Sequence, residues 1–402
     1  MKILILSREF EHSNNACGIC LYNLADEFCK RGDEVHVISL VPTLQSFIYD
    51  ERLEVVEILE DSFTTRCNNI KYEKSKLKIM IFRLYQIIRY VWAFFLYPNT
   101  AIFKTKELYK CAKQIVTLNS IDMVIGSYTP FETISAAVLL KKWNPRLQLV
   151  NYHLDPLLAP GNTSKLFSWY KHKRAKSSVL TELQYANKVL IPETFISLYP
   201  LSKKLSPVGF PLYIPNTIKS ERSYFDKGSI NIVYVGTLDS YNRNIDYTIA
   251  LIESLVARGL SLKLHIWGCL IDRETKESVS HSEVVIYHGM VDSKEIPSIL
   301  QSADILLNVC NEIHNTSLPS KIFQLFATGK PILVIKRNEN DSSLPYFEKY
   351  GNVCYAQEGN NIPEVINSVE SFVKRKTCIS VLDQNDIFYK YTPSYICDLI
   401  NS

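Results

Sequence analysis

The sequence predicts an α/β protein of two doubly wound domains facing a central cleft, and three observations predict it. Short, continuous apolar runs alternate with amphipathic helical patterns almost from end to end. Unbroken apolar strands are what a parallel sheet covered on both faces requires. A stretch from Pro200 to Gly228, rich in proline and without sustained period, divides the chain into halves of similar size. At 402 residues each half is long enough to bury a core of its own.

The elements follow in order. Lys2–Ser7 reads as a buried strand, followed by a loop and a helix around Ile19–Lys30 that Gly32 ends, and then a strand at Glu34–Ser39. Next come a strand at Ile121–Gly126, a helix over Phe131–Lys141, a strand at Leu147–Tyr152, a helix near Ser177–Ala186 and a strand at Lys188–Ile191. Beyond the divide, strands are expected at Asn231–Val235, Leu262–Trp267, Val284–Tyr287, Asp304–Val309 and Pro331–Ile335. Helices over Ile245–Arg258, Lys294–Gln301 and Ser320–Ala327 separate them. The expected domains are therefore 1–205 and 230–385, joined by a linker at 206–229, with a terminal helix over 386–402 packing back on the first domain.

Composition narrows the class. With 47% hydrophobic and 21% charged residues the chain is neither disordered nor fibrous. A net charge of +4 gives no reason to expect a nucleic-acid partner. The charge is uneven, however: Lys71 to Lys113 holds ten basic residues against Glu73 and Glu107, a larger surplus than that of the whole chain. Ile79, Phe82, Ile87, Trp92, Phe94, Phe95 and Tyr97 interleave with Arg83 and Arg89 there. Residues 71–113 thus read either as an in-plane segment touching an anionic membrane surface or as a core helix with solvated basic residues. The apolar run after Lys2 is too short for a secretory signal, and no uncharged apolar run reaches about 18 residues. The expected location is cytoplasmic, peripheral on the inner face of the plasma membrane if the basic segment meets lipid, and the ten cysteines are expected to be mostly reduced.

Ligands of open α/β sheets bind beyond the carboxyl ends of the strands, so the loops there carry the chemistry. The first such loop holds Asn14, Asn15 and Gly18 before a helix, where free N–H groups attract phosphate. Cys17 and Cys20 form a lone C-x-x-C, which packing explains better than metal or redox chemistry. After Leu147–Tyr152 come His153 and Asp155. They suit orienting a hydroxyl or stabilising charge, and equally a capped strand end. Gly236 and Thr237 open the second half, with Arg243 six residues beyond Thr237, a glycine turn and a cation that suit a diphosphate. Farther on, Thr316, Ser317 and Leu318 begin a helix on which Lys321 and Gln324 lie three apart. Neither G-x-G-x-x-G nor a phosphate-loop motif occurs, so nicotinamide enzymes and phosphate-loop ATPases lose support.

In this order and spacing the motifs resemble bacterial glycosyltransferases of family 4. The resemblance rests on Tyr22-Asn23-Leu24-Ala25, Lys30-Arg31-Gly32 and Glu34-Val35-His36-Val37-Ile38 in the first half. In the second it rests on Val235-Gly236-Thr237-Leu238 with Asn244-Ile245-Asp246, His288-Gly289, Leu318-Pro319-Ser320-Lys321-Ile322-Phe323-Gln324 and Gly329-Lys330-Pro331. It covers nearly all the chain.

The resemblance implies a GT-B fold of two Rossmann-like domains. The C-terminal one would hold a nucleotide-diphosphate sugar and the N-terminal one a glycan or lipid-linked acceptor. Transfer would retain anomeric configuration and need no metal or cofactor, in the assembly of surface polysaccharide. The family's phosphate-binding Arg and Lys fall on Thr237 and Arg243, and Lys321 is a substitute cation. Its paired glutamates fall on Thr316 and Gln324, so neither carboxylate is present. Its histidine matches His153, with Asp155 as competitor. The donor set is then Gly18, Gly236, Thr237, Arg243, Gly268, Gly289, Thr316, Ser317, Leu318, Lys321 and Gln324, and the catalytic set His153, Asp155 and Arg243. The alternatives are a non-catalytic GT-B-like binding subunit, which the missing glutamates keep open, and a sugar-nucleotide epimerase.

Overall fold

The computed structural model describes residues 1–8, 10, 16–41, 53–59, 75–155, 157–158, 168–214, 224–225, 228–292, 295–312, 321–379 and 386–402. The chain forms two compact α/β units, one of residues 1–211 with 390–402 and one of residues 212–389.

In the first unit seven parallel strands run in the order β3-β2-β1-β4-β5-β6-β7. They are β1 (Lys2–Ser7), β2 (Glu34–Val41), β3 (Leu53–Leu59), β4 (Met123–Tyr128), β5 (Gln148–His153), β6 (Lys188–Pro192) and β7 (Leu205–Val208). Ile3, Leu4, Ile5 and Leu6 of β1 are all completely buried, as a central strand covered on both faces demands. Such residues each contribute about 1.5–3 kcal/mol on leaving water. The helices are α1 (Ala16–Lys30), α2 (Lys76–Leu96), α3 (Ile102–Asn119), α4 (Phe131–Trp143) and α5 (Ser168–Tyr185). Helix α4 is buried along most of its length, through Phe131, Ile134, Ala136, Ala137, Val138 and Leu140.

The second unit has six parallel strands in the order β10-β9-β8-β11-β12-β13. These are β8 (Ile230–Val235), β9 (Leu262–Trp267), β10 (Val285–Gly289), β11 (Ile305–Val309), β12 (Ile332–Lys336) and β13 (Val353–Gln357). Its helices are α6 (Asp246–Ala257), α7 (Arg273–His281), α8 (Ile296–Ser302), α9 (Ile322–Phe326), α10 (Leu344–Tyr350) and α11 (Ile362–Arg375). One face of the sheet packs α6 and α11 through Ile249, Ile252, Leu255, Ile366, Val369 and Phe372.

The divide differs from the expected linker at 206–229. Leu205–Val208 is a seventh strand, in register with Val189–Pro192, so the first unit extends to Pro211. Four residues including Pro207 fit only at a sheet edge, which is why they carry no strand signal. The terminal helix is also shorter than 386–402. Residues 386–389 belong to the second unit, where Phe388 stacks on Phe326 at 4.8 Å. The helix proper is α12 (Pro393–Asn401), and it lies on the first unit. Arg31 holds it, donating to Asp398 Oδ1 at 2.6 Å and to the Ser394 carbonyl at 2.9 Å, and Lys188 donates to the Leu399 carbonyl.

Both sheets reverse direction beside their first strand. The switch points lie between β1 and β4 and between β8 and β11. Loops leaving those four strands are where a doubly wound sheet binds its ligands.

Candidate functional site

In the second unit three of the expected residues, Gly236, Gly268 and Gly289, end adjacent strands and form a continuous rim. The Gly236 amide donates to the Trp267 carbonyl at 2.9 Å, and the Gly268 amide to the Gly289 carbonyl at 2.8 Å. Gly268 has φ +132°, and a Cβ there would stand 1.8 Å from the Gly236 carbonyl oxygen. Only glycine lets these two backbones meet. Gly289, also at positive φ (+78°), has open space where a Cβ would be. Gly236 is buried while Gly268 and Gly289 are half-buried, so a ligand can approach the main chain at the latter two.

Beyond Gly236 the chain turns tightly. Asp239 Oδ1 accepts from the amides of Tyr241 (3.1 Å) and Asn242 (2.6 Å), and Asp239 bridges back to Arg243. Thr237 shows its carbonyl to the Tyr234 hydroxyl, which donates to it at 2.9 Å. Arg243 lies three residues before α6 rather than at its start, because Asn244 Oδ1 accepts from the Asp246 amide and begins the helix there. The guanidinium is half-buried, and its Nε donates to Asn311 Oδ1 at 2.7 Å. Asn311 in turn donates its amide to Asp341 Oδ2 (3.0 Å), accepts from Asn242 Nδ2 (3.2 Å), and receives Asn338 Nδ2 at its carbonyl (2.8 Å). Loops from β8, β11 and β12 thus converge to fix one arginine.

Lys321 stands near Arg243. Desolvation first, and then the positive charge of Arg243, pull the Lys321 ammonium below the ordinary lysine range. Two cations held together repel one another, and an anion between them would relieve both. Gln324 lies half-buried one turn on, in α9. Thr316, Ser317 and Leu318 lie outside the described residues.

In the first unit Gly18 is buried in the first turn of α1, not before it. Helix α1 is the first element after β1, which borders the switch point. Asp155 is exposed just past β5 and accepts from Thr129 Oγ1 at 2.9 Å, with Cys17 Sγ at 3.9 Å. Thr129, just after β4, and Cys17, in the first turn of α1, therefore meet at Asp155.

His153 does not join them. It is completely buried, and both ring nitrogens are engaged inside the unit. Its Nε2 lies 2.9 and 3.0 Å from the two oxygens of Glu182, and its Nδ1 lies 3.1 Å from the Tyr199 hydroxyl. A carboxylate only accepts, so Nε2 carries the proton and Nδ1 accepts from Tyr199. The Tyr199 oxygen also accepts from the Leu157 amide at 3.1 Å. The expectation of a ligand-touching histidine is corrected accordingly: His153 positions the loop that carries Asp155. Sequence inspection missed Glu182, Tyr199 and Asn311 as partners, since each meets its target only through the fold. Among the described residues no cluster of three or more His, Cys, Asp or Glu could hold a metal ion.

Comparison with known proteins bears on both units. Residues 229–344 match the family described as glycosyl transferases group 1. No curated protein matches. Among solved structures the chain is similar to WaaG, a glycosyltransferase involved in lipopolysaccharide biosynthesis, with 13% identity and a TM-score of 0.56 over 100% of this chain and 99% of that one. A mutant of S. aureus TarM in complex with fondaparinux, α-GlcNAc-glycerol and UDP gives 10% identity and a TM-score of 0.58 over all of both chains. A putative UDP-N-acetylglucosamine 2-epimerase from Listeria monocytogenes gives 11% and 0.53 over 93% and 89%. The fold is the GT-B type, two parallel-sheet Rossmann-like units, and transferases and epimerases share it.

Proposed function

We propose that the protein is a glycosyltransferase that moves a sugar from a nucleoside diphosphate donor to a glycan or lipid-linked acceptor, with retention and without a metal, in the assembly of a surface polysaccharide at the cytoplasmic face. The observation that carries this reading is Arg243, fixed by Asn311 beside a rim of three glycines and next to Lys321. These residues fall inside the part of the chain that matches the group 1 transferases, which favours transfer over epimerisation.

The chemistry follows from the donors. As the bond between the anomeric carbon and the diphosphate oxygen breaks, negative charge builds on the leaving phosphate. Arg243 and Lys321 stabilise it without reorganising, which is electrostatic catalysis. The acceptor hydroxyl bonds to the same carbon from the same face, and its proton passes to the departing phosphate oxygen. Asp155 in the N-terminal unit orients the acceptor. Gln324 hydrogen-bonds the donor where related enzymes would carry a carboxylate.

The test is a thermal-shift panel of nucleoside diphosphates and their sugars, followed by product analysis. Selective binding raises the melting temperature by mass action. Arg243→Ala is expected to abolish that shift and to slow transfer by roughly 10²–10³-fold, the usual effect of losing one such donor. Unchanged transfer in Arg243→Ala would refute the role given to it. Binding without any turnover would make the protein a binding subunit.

A further inference from the structure

Helix α2 is unlike any other helix described here, because none of its 21 residues is buried. Leu77, Met80, Leu84, Ile88, Val91 and Phe95 are all exposed, and at 100° per residue they fall within an arc of about 80°. Trp92 beside them is 64% exposed. The cations flank this face on both sides: Lys76 and Arg83 lie along one edge, Lys78 and Arg89 along the other. The helix holds no acidic residue. Left in water, such a stripe costs far more than scattered surface apolars do.

A second segment completes the surface. The first turns of α5 carry Lys171, Lys173, Arg174 and Lys176, with Trp169 67% exposed. They are fastened to the end of α2. Tyr170 stacks on Phe94 at 5.0 Å and donates to the Phe95 carbonyl at 3.3 Å, while Arg174 Nε donates to the Tyr97 carbonyl at 3.2 Å. Lys171 lies 5.5 Å from the Tyr97 ring centre. Two fastened helices therefore carry an apolar face, exposed Trp and Tyr, and eight cations with no acid but the buried Glu182, and on α5 Trp169, Lys173 and Lys176 fall within an arc of about 60° away from the α2 contact.

We infer that α2 and the start of α5 form a docking surface for an anionic phospholipid bilayer, with α2 lying in the plane of the interface. Its apolar arc enters the acyl boundary, and the flanking cations and those of α5 meet the headgroups. By length and composition α2 could also cross a membrane. Cations along both edges, and an end fastened to α5, favour the in-plane placement, because a crossing would drag Arg83 and Arg89 through hydrocarbon. This surface is separate from the donor-binding groups, and its occupancy is read without any sugar transfer.

The experiment is flotation of the full chain with vesicles of neutral phosphatidylcholine, alone or mixed with phosphatidylglycerol, at low and high salt. The protein is expected to float with the mixed vesicles, at least tenfold better than with neutral ones, and to be released in part by salt. Leu84→Glu with Ile88→Glu, on an exposed face, should abolish flotation while leaving the melting temperature within about 1 °C. Lys173→Glu with Lys176→Glu should weaken binding to mixed vesicles by at least roughly 30-fold and leave binding to neutral ones unchanged. Trp fluorescence should shift to the blue on binding in the parent and not in the Leu84/Ile88 variant. No flotation, flotation unaffected by Leu84→Glu with Ile88→Glu, or burial of the face in a soluble dimer by sedimentation would overturn the proposal. Resistance to alkaline carbonate extraction would overturn the in-plane placement in favour of a crossing.

Discussion

Gly268→Ala offers the most direct test of the glycine rim. An added Cβ would stand 1.8 Å from the Gly236 carbonyl oxygen and 2.7 Å from its carbon, where real contacts stay beyond 3.0 Å. The strands must therefore part by at least about 1.2 Å, the difference between the first and last of those distances. Both neighbours are backbone, so no rotamer change absorbs the shift. The positive φ of +132° adds a conformational penalty of about 1–2 kcal/mol for any L side chain. A 1 Å misplacement at a reacting centre costs roughly 10²-fold in rate. Gly259→Ala is the control, because Gly259 also has positive φ (+92°) but nothing within 4 Å. The control should lose stability only. Gly268→Ala should lose more stability and, in addition, at least tenfold in affinity for a nucleoside diphosphate, measured by titration calorimetry with UDP. Equal melting temperatures and equal UDP affinities in the two variants would refute the close-approach argument.

Three further outcomes follow from the site and its surroundings. Because Lys321 titrates below the ordinary lysine range, it loses charge earlier as pH rises, so diphosphate affinity should fall on the alkaline side. Lys321→Arg should flatten that profile, as titrations from neutral to alkaline pH would reveal. Glu182→Ala strips the buried His153 Nε2–H of its acceptor and should destabilise the protein by about 1–3 kcal/mol in denaturant unfolding, while Glu182→Gln costs less. A cost near zero for Glu182→Ala would dismiss the positioning role. His288 stays exposed on one side but stacks on Trp267 at 3.9 Å and lies 3.0 Å from His265 Nδ1, and this partial loss of water pulls its pKa down. The unfolded chain then takes up a proton below about pH 6.5 that the folded one refuses, so stability should decline as pH falls through that value. His288→Phe should lessen the decline, which melting curves across pH would register.

The sequence carries the central strands in plain form: β1 holds the unbroken run Ile3–Leu6, and β1, β5 and β9 all lie within a residue of their expected bounds even though Asn151 interrupts β5 and Lys263 and His265 interrupt β9. Strands that miss detection are those at edges. Leu53–Leu59 is interrupted by Glu54 and Glu57, three apart and so out of a strand's period, and Leu205–Val208 contains a proline. Helix α5 is seen only from Ser177 because its first turns, Trp-Tyr-Lys-His-Lys-Arg, have no apolar period to announce them. At the site, strand-end glycines are visible as glycines, but that Gly268 must meet Gly236 depends on how β8 and β9 pair. Arg243 and Asn311 are 68 residues apart, and nothing local in either stretch foretells their bond. His153 misleads for the same reason: its partner Glu182 lies a helix away, and burial, not residue type, decides its work.

The return of α12 to the first unit orders events during synthesis. Residues 212–389 are contiguous, and they leave the ribosome able to close their own sheet as one piece. The other half cannot be finished then, because Arg31 and Lys188 wait for Asp398 and Leu399, translated some two hundred residues after the latter lysine. The half begun first is thus the half completed last. A chain truncated before residue 390 would hold a complete C-terminal sheet and an N-terminal unit still missing its seal.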